Sequence, residues 1–375
     1  MTSVVVVGAG ALGLCTAYHL RAKGVEDVTV IDRAHVAAAS SGLSVGIIET
    51  QYLDPLAIAV RVVSLRFFTE LETAGHLEIV RNGYLRPGHT AADLERFERS
   101  AAAQRELGVA DAVVLDRAGI ERLVPDMDCS GFAGGLFGPS DGYIDGHRYC
   151  AVLAERSGAR VLAGTELQGA GRAPDGRHRL VTSRGELTCD YVVNAAGGWA
   201  GRVGELLGAP VRVLPQRHQA LIAHLPRELG YVMPSVMDYL PASGDYGLYF
   251  RDEGPGRLVA GLHTEEAIHD LVDPDDFTRG DELAYMELVA ERFRRRLPSL
   301  EAARLGNVWA GLYPISPDGR PSVGPHAHDE TIVSVAGAGG SGLQSSPALG
   351  LLAAEWIADG RPSAVAGAEA MLPSR

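Results

Sequence analysis

The chain of 375 residues is too long for one compact core, so its length predicts two domains. Hydrophobic residues make up 46% and charged residues 22% of the sequence, values typical of a globular protein that folds in water. The net charge of −13 argues against nucleic acid and anionic membrane surfaces as partners.

The sequence shows no targeting signal and no metal-binding pattern. Only Met1 and Thr2 precede the first predicted strand, and no apolar run reaches the roughly 18 residues needed to cross a bilayer. The four cysteines are scattered, without C-x-x-C or metal-ligand spacing, and those within predicted elements are typical of buried thiols. We therefore expect a cytoplasmic protein without a membrane partner and without a metal site.

The first 33 residues contain a phosphate-binding pattern. Val4–Val7 form a continuous β-branched run, as a strand buried on both faces requires. The run leads into Gly8, Gly10 and Gly13, a G-x-G-x-x-G spacing that allows a tight turn, close approach of the backbone to a diphosphate, and close helix packing. The helix predicted from about Ala11 to Ala22 directs its N-terminal N–H groups at that diphosphate.

A second predicted strand, Val28 to Ile31, ends at Asp32, roughly 20 residues after the last glycine. A carboxylate there can accept hydrogen bonds from both hydroxyls of an adenosine ribose, whereas an NADP site carries an arginine for the 2′-phosphate. FAD and NAD therefore remain as candidates. A tightly packed strand–turn–helix that binds no nucleotide would also need glycines. Here, however, the strand, the glycines, the helix and the acid all occur at the spacing of a nucleotide site, which favours nucleotide binding.

Two later segments repeat the pattern of a strand followed by a glycine-rich turn, which predicts a discontinuous nucleotide-binding fold. YVVNAAGG, from Tyr191 to Gly198, is a buried strand that ends in a glycine turn, and IVSVAGAGGSGLQ near the C-terminus is again a strand followed by a glycine-rich turn and a helix. An NAD enzyme with a single Rossmann domain would not need the glycine-rich turn near the C-terminus. Between them, the pattern predicts the following further elements: helices over 54–71, 91–107, 119–124, 147–157 and 284–297, short strands over 160–162, 179–182 and 186–189 in a small β-meander, and strands over 211–263.

Five segments together resemble the D-amino-acid-oxidase-like FAD oxidoreductases, the family of glycine and sarcosine oxidases. They are VVVVGAGALGLCTAYHL…VTVIDR, SSGLSVG, DYVVNAAGGWA, WAGLYPISPDGRPSVGP and GAGGSGLQSSPALGLLAAEWI. The resemblance implies an α/β fold: a discontinuous Rossmann-like FAD-binding domain with an inserted, mainly antiparallel-sheet substrate domain. It places residues 1–80, 145–212 and 305–375 in the first domain and residues 81–144 and 213–304 in the second.

The resemblance also implies which residues bind FAD. Glycines cradle the diphosphate, Asp32 binds the ribose, and a C-terminal glycine run lies beneath the flavin ring. The implied residues are Gly8, Gly10, Ala11, Leu12, Gly13, Asp32, Arg33, Ser40, Ser41, Gly42, Leu167, Ala195, Ala196, Gly197, Trp199, Gly311, Gly339, Gly340, Ser341, Gly342, Leu343 and Gln344.

The implied reaction is oxidation of the C–N bond of an amino acid or of a secondary or tertiary amine. A hydride passes to flavin N5, and the imine that forms hydrolyses. His263, Tyr313 and either Tyr249 or Tyr246 are implied as catalytic residues. His218 and Arg217 are weaker candidates, and Ser316 is one for flavin contact or for packing.

The chain departs from these relatives in its charges. It lacks the arginine that glycine oxidases carry near Tyr313, and Gln344 stands where sarcosine oxidases have a lysine. A substrate carboxylate then needs Arg61, Arg251 or Arg320 as its partner, or the substrate is a less charged amine. No cysteine stands at the position that tethers flavin in sarcosine oxidases, so we expect non-covalent FAD.

Two other functions fit the same residues. One is an FAD-binding subunit of a hetero-oligomeric amine dehydrogenase, and the other is a flavoenzyme that oxidises a 2-hydroxy acid. The expected partners are a small-molecule amine or amino acid, oxygen or another electron acceptor, and further subunits of an oligomer.

Overall fold

The structure is a computed structural model that describes residues 2–239, 246–263, 271–280 and 282–373. The α-helices are α1 (Ala11–Ala22), α2 (Ser40–Leu43), α3 (Pro55–Thr73), α4 (Ala91–Glu106), α5 (Arg117–Leu123), α6 (Gly146–Arg156), α7 (Ala200–Leu206), α8 (Leu283–Arg296) and α9 (Gly342–Asp359). The strands are β1 (Ser3–Val7), β2 (Asp27–Asp32), β3 (Ile47–Ile48), β4 (Tyr84–Gly88), β5 (Val113–Asp116), β6 (Gly134–Gly138), β7 (Gly142–Tyr143), β8 (Arg160–Ala163), β9 (Leu167–Arg172), β10 (His178–Thr182), β11 (Gly185–Cys189), β12 (Tyr191–Asn194), β13 (Leu214–His224), β14 (Ser235–Asp238), β15 (Gly247–Asp252), β16 (Arg257–His263), β17 (Arg304–Ile315), β18 (Ser322–His326) and β19 (Asp329–Ala336).

A six-stranded sheet contains the predicted nucleotide-binding pattern. Its strand order is β18-β19-β12-β1-β2-β8, and β1 pairs in parallel with both β12 and β2. All five residues of β1 are buried, as its β-branched run requires. The three predicted strand–turn regions therefore do come from distant parts of the chain and join in one sheet, which confirms the discontinuous Rossmann-like fold.

Helices α1 and α9 pack closely against each other beside this sheet. A Cβ added at Gly350 would lie 2.6 Å from the Cβ of Cys15 and 2.7 Å from the backbone nitrogen of Thr16. Only a glycine permits this approach without a shift of one helix. The contact fixes the relative position of the glycine turns from which the two helices start.

The eight-stranded sheet is mainly antiparallel, which confirms the second part of the fold prediction. Its order is β17-β13-β16-β15-β14-β4-β6-β5, and only β4 and β14 pair in parallel. Strand β17, which the prediction assigned to the nucleotide-binding domain, pairs with β13 along its length and so lies in this sheet instead. Buried Leu221, Phe250 and Phe293 lie in the core beneath it.

The predicted β-meander differs from the one observed. Strands β9, β10 and β11 form a three-stranded antiparallel sheet. The strand predicted over 160–162 is not part of it, because β8 pairs in parallel with β2 at the edge of the six-stranded sheet. The alternation of polar and apolar residues cannot show which sheet β8 or β9 joins, since both strands are short and half-buried.

Side-chain caps start three of the helices, α3, α4 and α6. Asp54 accepts a hydrogen bond from the backbone N–H of Ala57 at 3.0 Å, with Pro55 in the first turn of α3. Thr90 and Asp93 form a capping box at α4, and Asp145 caps α6. Among the residues that the structure describes, none of the helices is both long and apolar enough to pass through a bilayer.

Candidate active site

A cavity of about 540 Å³ lies where the two large sheets meet, and most of the predicted site residues line it. Those with a predicted cofactor role are Gly8, Gly10, Ala11, Leu12, Asp32, Arg33, Ser40, Ser41, Leu167, Ala195, Ala196, Gly197, Trp199, Gly311, Gly339, Gly340, Gly342, Leu343 and Gln344. Those with a predicted catalytic role are Tyr249, His263 and Tyr313. The volume is in the range of cofactor and ligand pockets, roughly 300–1,000 Å³.

The glycine turn after β1 forms one wall of the cavity. Gly8 has φ of +114°, and a Cβ there would lie 2.4 Å from the carbonyl oxygen of Ala195, so no other residue fits without a shift. The backbone N–H of Ala11, at the start of α1, donates to Ser41 Oγ at 2.9 Å. Gly13 has the packing role predicted for it, since a Cβ there would lie 2.0 Å from the carbonyl oxygen of Gly8.

Asp32 lies at the end of β2 with both carboxylate oxygens held by the backbone. Oδ2 accepts the N–H of Ala9 and Oδ1 accepts the N–H of Ala34, each at 2.8 Å. Each oxygen keeps further lone pairs for a ligand. This arrangement suits a carboxylate that receives two hydroxyl donors of a ribose.

Four predicted residues do not line the cavity. Gly13 and Gly42 serve packing, and a Cβ at Gly42 would lie 2.3 Å from the carbonyl oxygen of Ala37. The Ser341 hydroxyl donates to the carbonyl oxygen of Ala338 at 2.9 Å. Tyr246 lies at a separate depression beside α8, where its carbonyl oxygen accepts a hydrogen bond from Arg292, so Tyr249 is the tyrosine that faces the cavity.

An ion-pair cluster lies at the nucleotide end of the cavity. Asp275 accepts the indole N–H of Trp199 at 2.8 Å and pairs with both Arg33 and Arg202. The guanidinium of Arg33 lies 4.6 Å from the centre of the Trp199 ring. The chain segment that carries Asp275 follows the second sheet's strand β16, so this cluster connects that segment to the first sheet.

Aromatic and imidazole rings form the opposite end. His218 stacks on Tyr313 with ring centres 3.6 Å apart and planes 14° apart. The Tyr313 hydroxyl lies 3.5 Å from His263 Nδ1, and the ring of Tyr239 meets His263 edge-on. A Cβ at Gly340 would lie 2.3 Å from the Tyr313 ring, so this glycine leaves room for the ring.

His218 and Tyr249 are neutral parts of this wall. Burial, followed by the charge of His263, holds the pKa of His218 well below its usual range. Its Nε2 lies 3.1 Å from Gln216 Oε1. Burial raises the pKa of Tyr249 well above the usual value for a phenol. Neither group therefore carries a charge near neutral pH.

Two ionisable groups of this end, Glu49 and Arg86, are not among the residues predicted from the sequence. Arg86 is 4% exposed and lines the cavity; its Nε donates to the carbonyl oxygen of Gln51 at 3.0 Å and one terminal nitrogen donates to that of Tyr239 at 3.1 Å. Glu49 is 5% exposed and lines the cavity beside Gln344. No motif or spacing rule in the sequence points to either residue.

The arginines suggested for a substrate carboxylate lie elsewhere. Arg251 pairs with Glu253 and lies 3.8 Å from the centre of the Tyr143 ring, and Arg320 is exposed near Asp54. Arg61 lies 4.0 Å from the centre of the Tyr52 ring and reaches no cavity surface. At the ring-lined end, Arg86 lines the cavity and these three arginines do not.

The four cysteines lie away from the cavity. Cys15, Cys129, Cys150 and Cys189 are all buried and none of them lines it. Within the described part of the chain, no group of three or more histidine, cysteine or acidic side chains could hold a metal ion.

Residues 3–356 match the sequence model of the family described as FAD dependent oxidoreductase (DAO). The chain belongs to this family. The family resemblance stated from the motifs is thereby confirmed, and so is FAD as the cofactor.

Three relatives illustrate the range of similar proteins. Mouse (Mus musculus) dimethylglycine dehydrogenase, a mitochondrial protein, is 26% identical over 96% of this chain and 42% of its own length. Sarcosine oxidase subunit beta of Rhizobium meliloti is 27% identical over 97% of this chain and 86% of its own length. The crystal structure of L-proline dehydrogenase from P. horikoshii superposes with a TM-score of 0.88 at 24% identity, covering 100% of this chain and 97% of that one. The chain thus spans about two fifths of the first of these relatives.

The residues of the cavity fit FAD. The glycine turn with Gly8 and Gly10 admits a diphosphate against the start of α1, and Asp32 suits an adenosine ribose. The second glycine turn, from Gly339 to Gly342, lines the cavity towards the ring cluster, where a flavin ring has to reach a substrate. The first glycine turn therefore suits the diphosphate of an adenine dinucleotide, and the second suits its reactive ring.

Proposed function

We propose that this protein oxidises the C–N bond of an amino acid with bound FAD. The observation that carries the proposal is the continuity of one cavity from the nucleotide-binding glycine turn to a buried, ring-lined end that contains Arg86. A buried guanidinium beside a cavity favours an anionic ligand group, because removal from water leaves its charge poorly screened. A substrate carboxylate supplies that group.

Each part of the ring-lined end has a role in this reaction. When bound, FAD accepts a hydride from the carbon next to the amine nitrogen. Arg86 binds the carboxylate, and Tyr313 with His263 orients the substrate amine through the hydroxyl and imidazole groups. His218, stacked on Tyr313, keeps that ring in place. The buried walls limit access of bulk water to the reacting atoms.

The relatives support an amine or amino-acid substrate. Proteins named for sarcosine and for dimethylglycine match nearly all of this chain, each at about a quarter of the residues. Both names refer to N-methylated amino acids, which carry the carboxylate that Arg86 would bind. This support favours the amine reaction over oxidation of a 2-hydroxy acid.

The test is anaerobic reduction of the purified, FAD-loaded protein. We expect at least one of sarcosine, N,N-dimethylglycine, glycine and L-proline to bleach the flavin absorbance. Arg86→Lys should raise the amine concentration that gives half-maximal bleaching, because a lysine lacks the two-pronged geometry that pairs with a carboxylate. Bleaching by a 2-hydroxy acid and by none of these amines would contradict the proposal.

Non-covalent FAD is a separate part of the proposal. Since no cysteine lines the cavity within the described residues, acid precipitation should release the yellow cofactor into the supernatant. Colour that stays in the washed pellet would show a covalent bond.

A second candidate is action within a larger assembly. Sarcosine oxidase subunit beta, which this chain covers more fully than the dehydrogenase above, is named as a subunit. That name favours a partner chain for this protein too. Flavin reduction by an amine combined with very slow reoxidation by oxygen would support it, since a partner would then accept the electrons. Rapid reoxidation of the isolated chain would oppose it.

The domain division is also proposed. Residues 1–80 and 145–212 with the C-terminal part form the FAD-binding domain, and residues 81–144 and 213–304 form the substrate-binding domain. Because β17 pairs with β13, the last boundary, predicted at 305, is better placed after Ile315.

A further inference from the structure

Glu49 is a buried carboxyl group of the cavity that the proposed reaction has not yet used. Its backbone N–H donates to Gln344 Oε1 at 3.1 Å, and Gln344 Nε2 lies 3.4 Å from Glu49 Oε1. The backbone N–H of Gln51 donates to Glu49 Oε2 at 2.6 Å. These contacts fix the carboxyl group at the cavity wall, next to the first turn of α9 that follows the glycine turn from Gly339 to Gly342.

The charged and titratable groups around Glu49 come from three other elements and from its own strand end. They are Arg61 on α3, Arg86 on β4, Asp141 in the turn before β7, and Tyr52. Burial raises the pKa of Glu49, while Arg86 and then Arg61 lower it in part. The carboxyl group of Glu49 therefore keeps its proton up to a higher pH than that of an exposed glutamate.

Asp141, a second buried acid close to Glu49, has a different environment. It receives hydrogen bonds from the backbone N–H of Thr50 at 3.2 Å and from Gln51 Nε2 at 2.7 Å, and it lies behind the cavity wall. Burial and then the charge of Glu49 hold its pKa well above the usual range. Of the two acids, only Glu49 lines the cavity.

We propose that Glu49 accepts the proton of the substrate's ammonium group before the hydride leaves, an inference that rests on the proposed function. An ammonium nitrogen has no free electron pair, so it cannot assist the departure of a hydride from its neighbouring carbon. In the proposed step one N–H bond breaks and one O–H bond forms on the Glu49 carboxylate. The nitrogen keeps the electron pair, and the neutral amine then reacts.

Other groups of the cavity suit this role less well. His218 has its Nε2 bonded to Gln216 and is further engaged by the backbone of Leu262. Tyr249 holds its proton because burial raises its pKa well above the usual value. His263 is the competing base, and its hydrogen bond with Tyr313 suits it to positioning the substrate.

The kinetic test compares the parent with Glu49→Gln, Glu49→Asp and His263→Asn in anaerobic reduction by sarcosine, N,N-dimethylglycine, glycine and L-proline. In the parent, reduction at saturating amine should slow as the pH falls through the pKa of Glu49, because the protonated carboxyl cannot accept. Glu49→Gln should be about 100-fold slower or more at neutral pH. Its rate should rise about tenfold per pH unit, since only amine already neutral in solution reacts.

The control variants separate a base from a structural group. Glu49→Asp should restore part of the rate and the acid limb, and His263→Asn should be slower but keep the parent's pH profile. All variants should bind FAD with the parent's spectrum. A Glu49→Gln rate within about threefold of the parent with the same profile, or loss of the acid limb in His263→Asn alone, would overturn the proposal.

A second readout needs neither FAD nor substrate. Infrared spectra of the parent, Glu49→Gln and Asp141→Asn assign one carboxyl band to Glu49 and another to Asp141, because each variant lacks one of the two groups. We expect the protonated band of Glu49 to disappear as the pH rises, at a higher pH than the band of an exposed glutamate would, and a band that persists at every pH would overturn the proposal. If none of the amines reduces the parent, the proposed function fails, and this spectrum still decides whether Glu49 can act as a proton acceptor.

Discussion

Asp32 joins two roles in one side chain. It ties the glycine turn to the end of β2 through the N–H groups of Ala9 and Ala34, and it presents its remaining lone pairs to the cavity. Loss of the carboxylate therefore removes ligand contacts and loosens the turn that receives the diphosphate.

Asp32→Ala should raise the dissociation constant of FAD about 100-fold or more. A hydrogen bond to a charged group contributes about 1.5–3 kcal/mol, and the ribose offers two donors. Titration of the FAD-free protein, followed by flavin fluorescence, measures the constant. Asp27→Ala, at the exposed start of the same strand, is the matched control and should leave it unchanged. Equal constants for both variants would remove Asp32 from the cofactor site.

At this scale the sequence predicts the cofactor side far better than the substrate side. The glycines and Asp32 follow a spacing rule because the backbone itself binds the ligand at a fixed distance from β1. Glu49 and Arg86 are about forty residues apart, on β3's end and on β4, and they meet only through the pairing of distant strands. A single sequence carries no local signal of that meeting.

Helices α1 and α9 determine where the two glycine turns lie relative to each other. Both begin directly at a cavity-lining turn, and Gly350 lets them approach until a Cβ would be only 2.6 Å from Cys15 Cβ. Their separation thus sets the distance between the diphosphate end and the ring end of the cavity.

Gly350→Ala provides a test in which two physical effects have opposite signs. Alanine in a helix interior stabilises by about 0.5–1 kcal/mol relative to glycine, whereas overpacking against backbone costs about 1–3 kcal/mol. We expect the second effect to dominate, lowering the melting temperature by a few degrees and weakening FAD binding. Gly131→Ala, where a Cβ meets nothing within 4 Å, is the control. A melting temperature equal to or above the parent's would show that the helices adjust without cost.

Element types were predictable because the periodicities are long and regular, but strand partners were not. The predicted helices over 54–71 and 91–107 correspond to α3 and α4 within two residues. The strand predicted over 160–162 exists, yet it extends the six-stranded sheet and not the β-meander. The strand with which β8 pairs depends on where helix α6, just before it, places the chain. The local residue pattern does not encode that position.

The whole molecule is organised around a cavity that both large sheets share. The first sheet contributes the glycine turns and Asp32, while the second contributes Tyr249, His263 and Tyr313. FAD bound there would contact both, so its retention depends on how firmly the two parts are joined. Asp275, with Arg33, Arg202 and Trp199, provides such a connection at the nucleotide end.

Asp275→Asn should therefore accelerate FAD dissociation. The side chains of this cluster are about half exposed, so each ion pair contributes about 0–1 kcal/mol, and loss of both pairs predicts a rate about three- to tenfold higher at low salt. Salt screens exposed charges, so the difference between parent and variant should shrink from about 50 mM to about 500 mM salt. The rate is measured by trapping the released FAD with an excess of a second flavin-binding protein.

The matched control for this prediction is Asp329→Asn. Asp329 pairs with Arg172 and thereby joins the six-stranded sheet to the three-stranded one, away from the cavity. Asp329→Asn removes an acid from an arginine of similar exposure, so it should leave FAD dissociation at the parent's rate at both salt concentrations. If both variants release FAD equally fast, the Asp275 cluster stabilises the fold in general and does not retain the cofactor. A faster release confined to Asp275→Asn shows that the segment following β16 helps to hold FAD in the cavity.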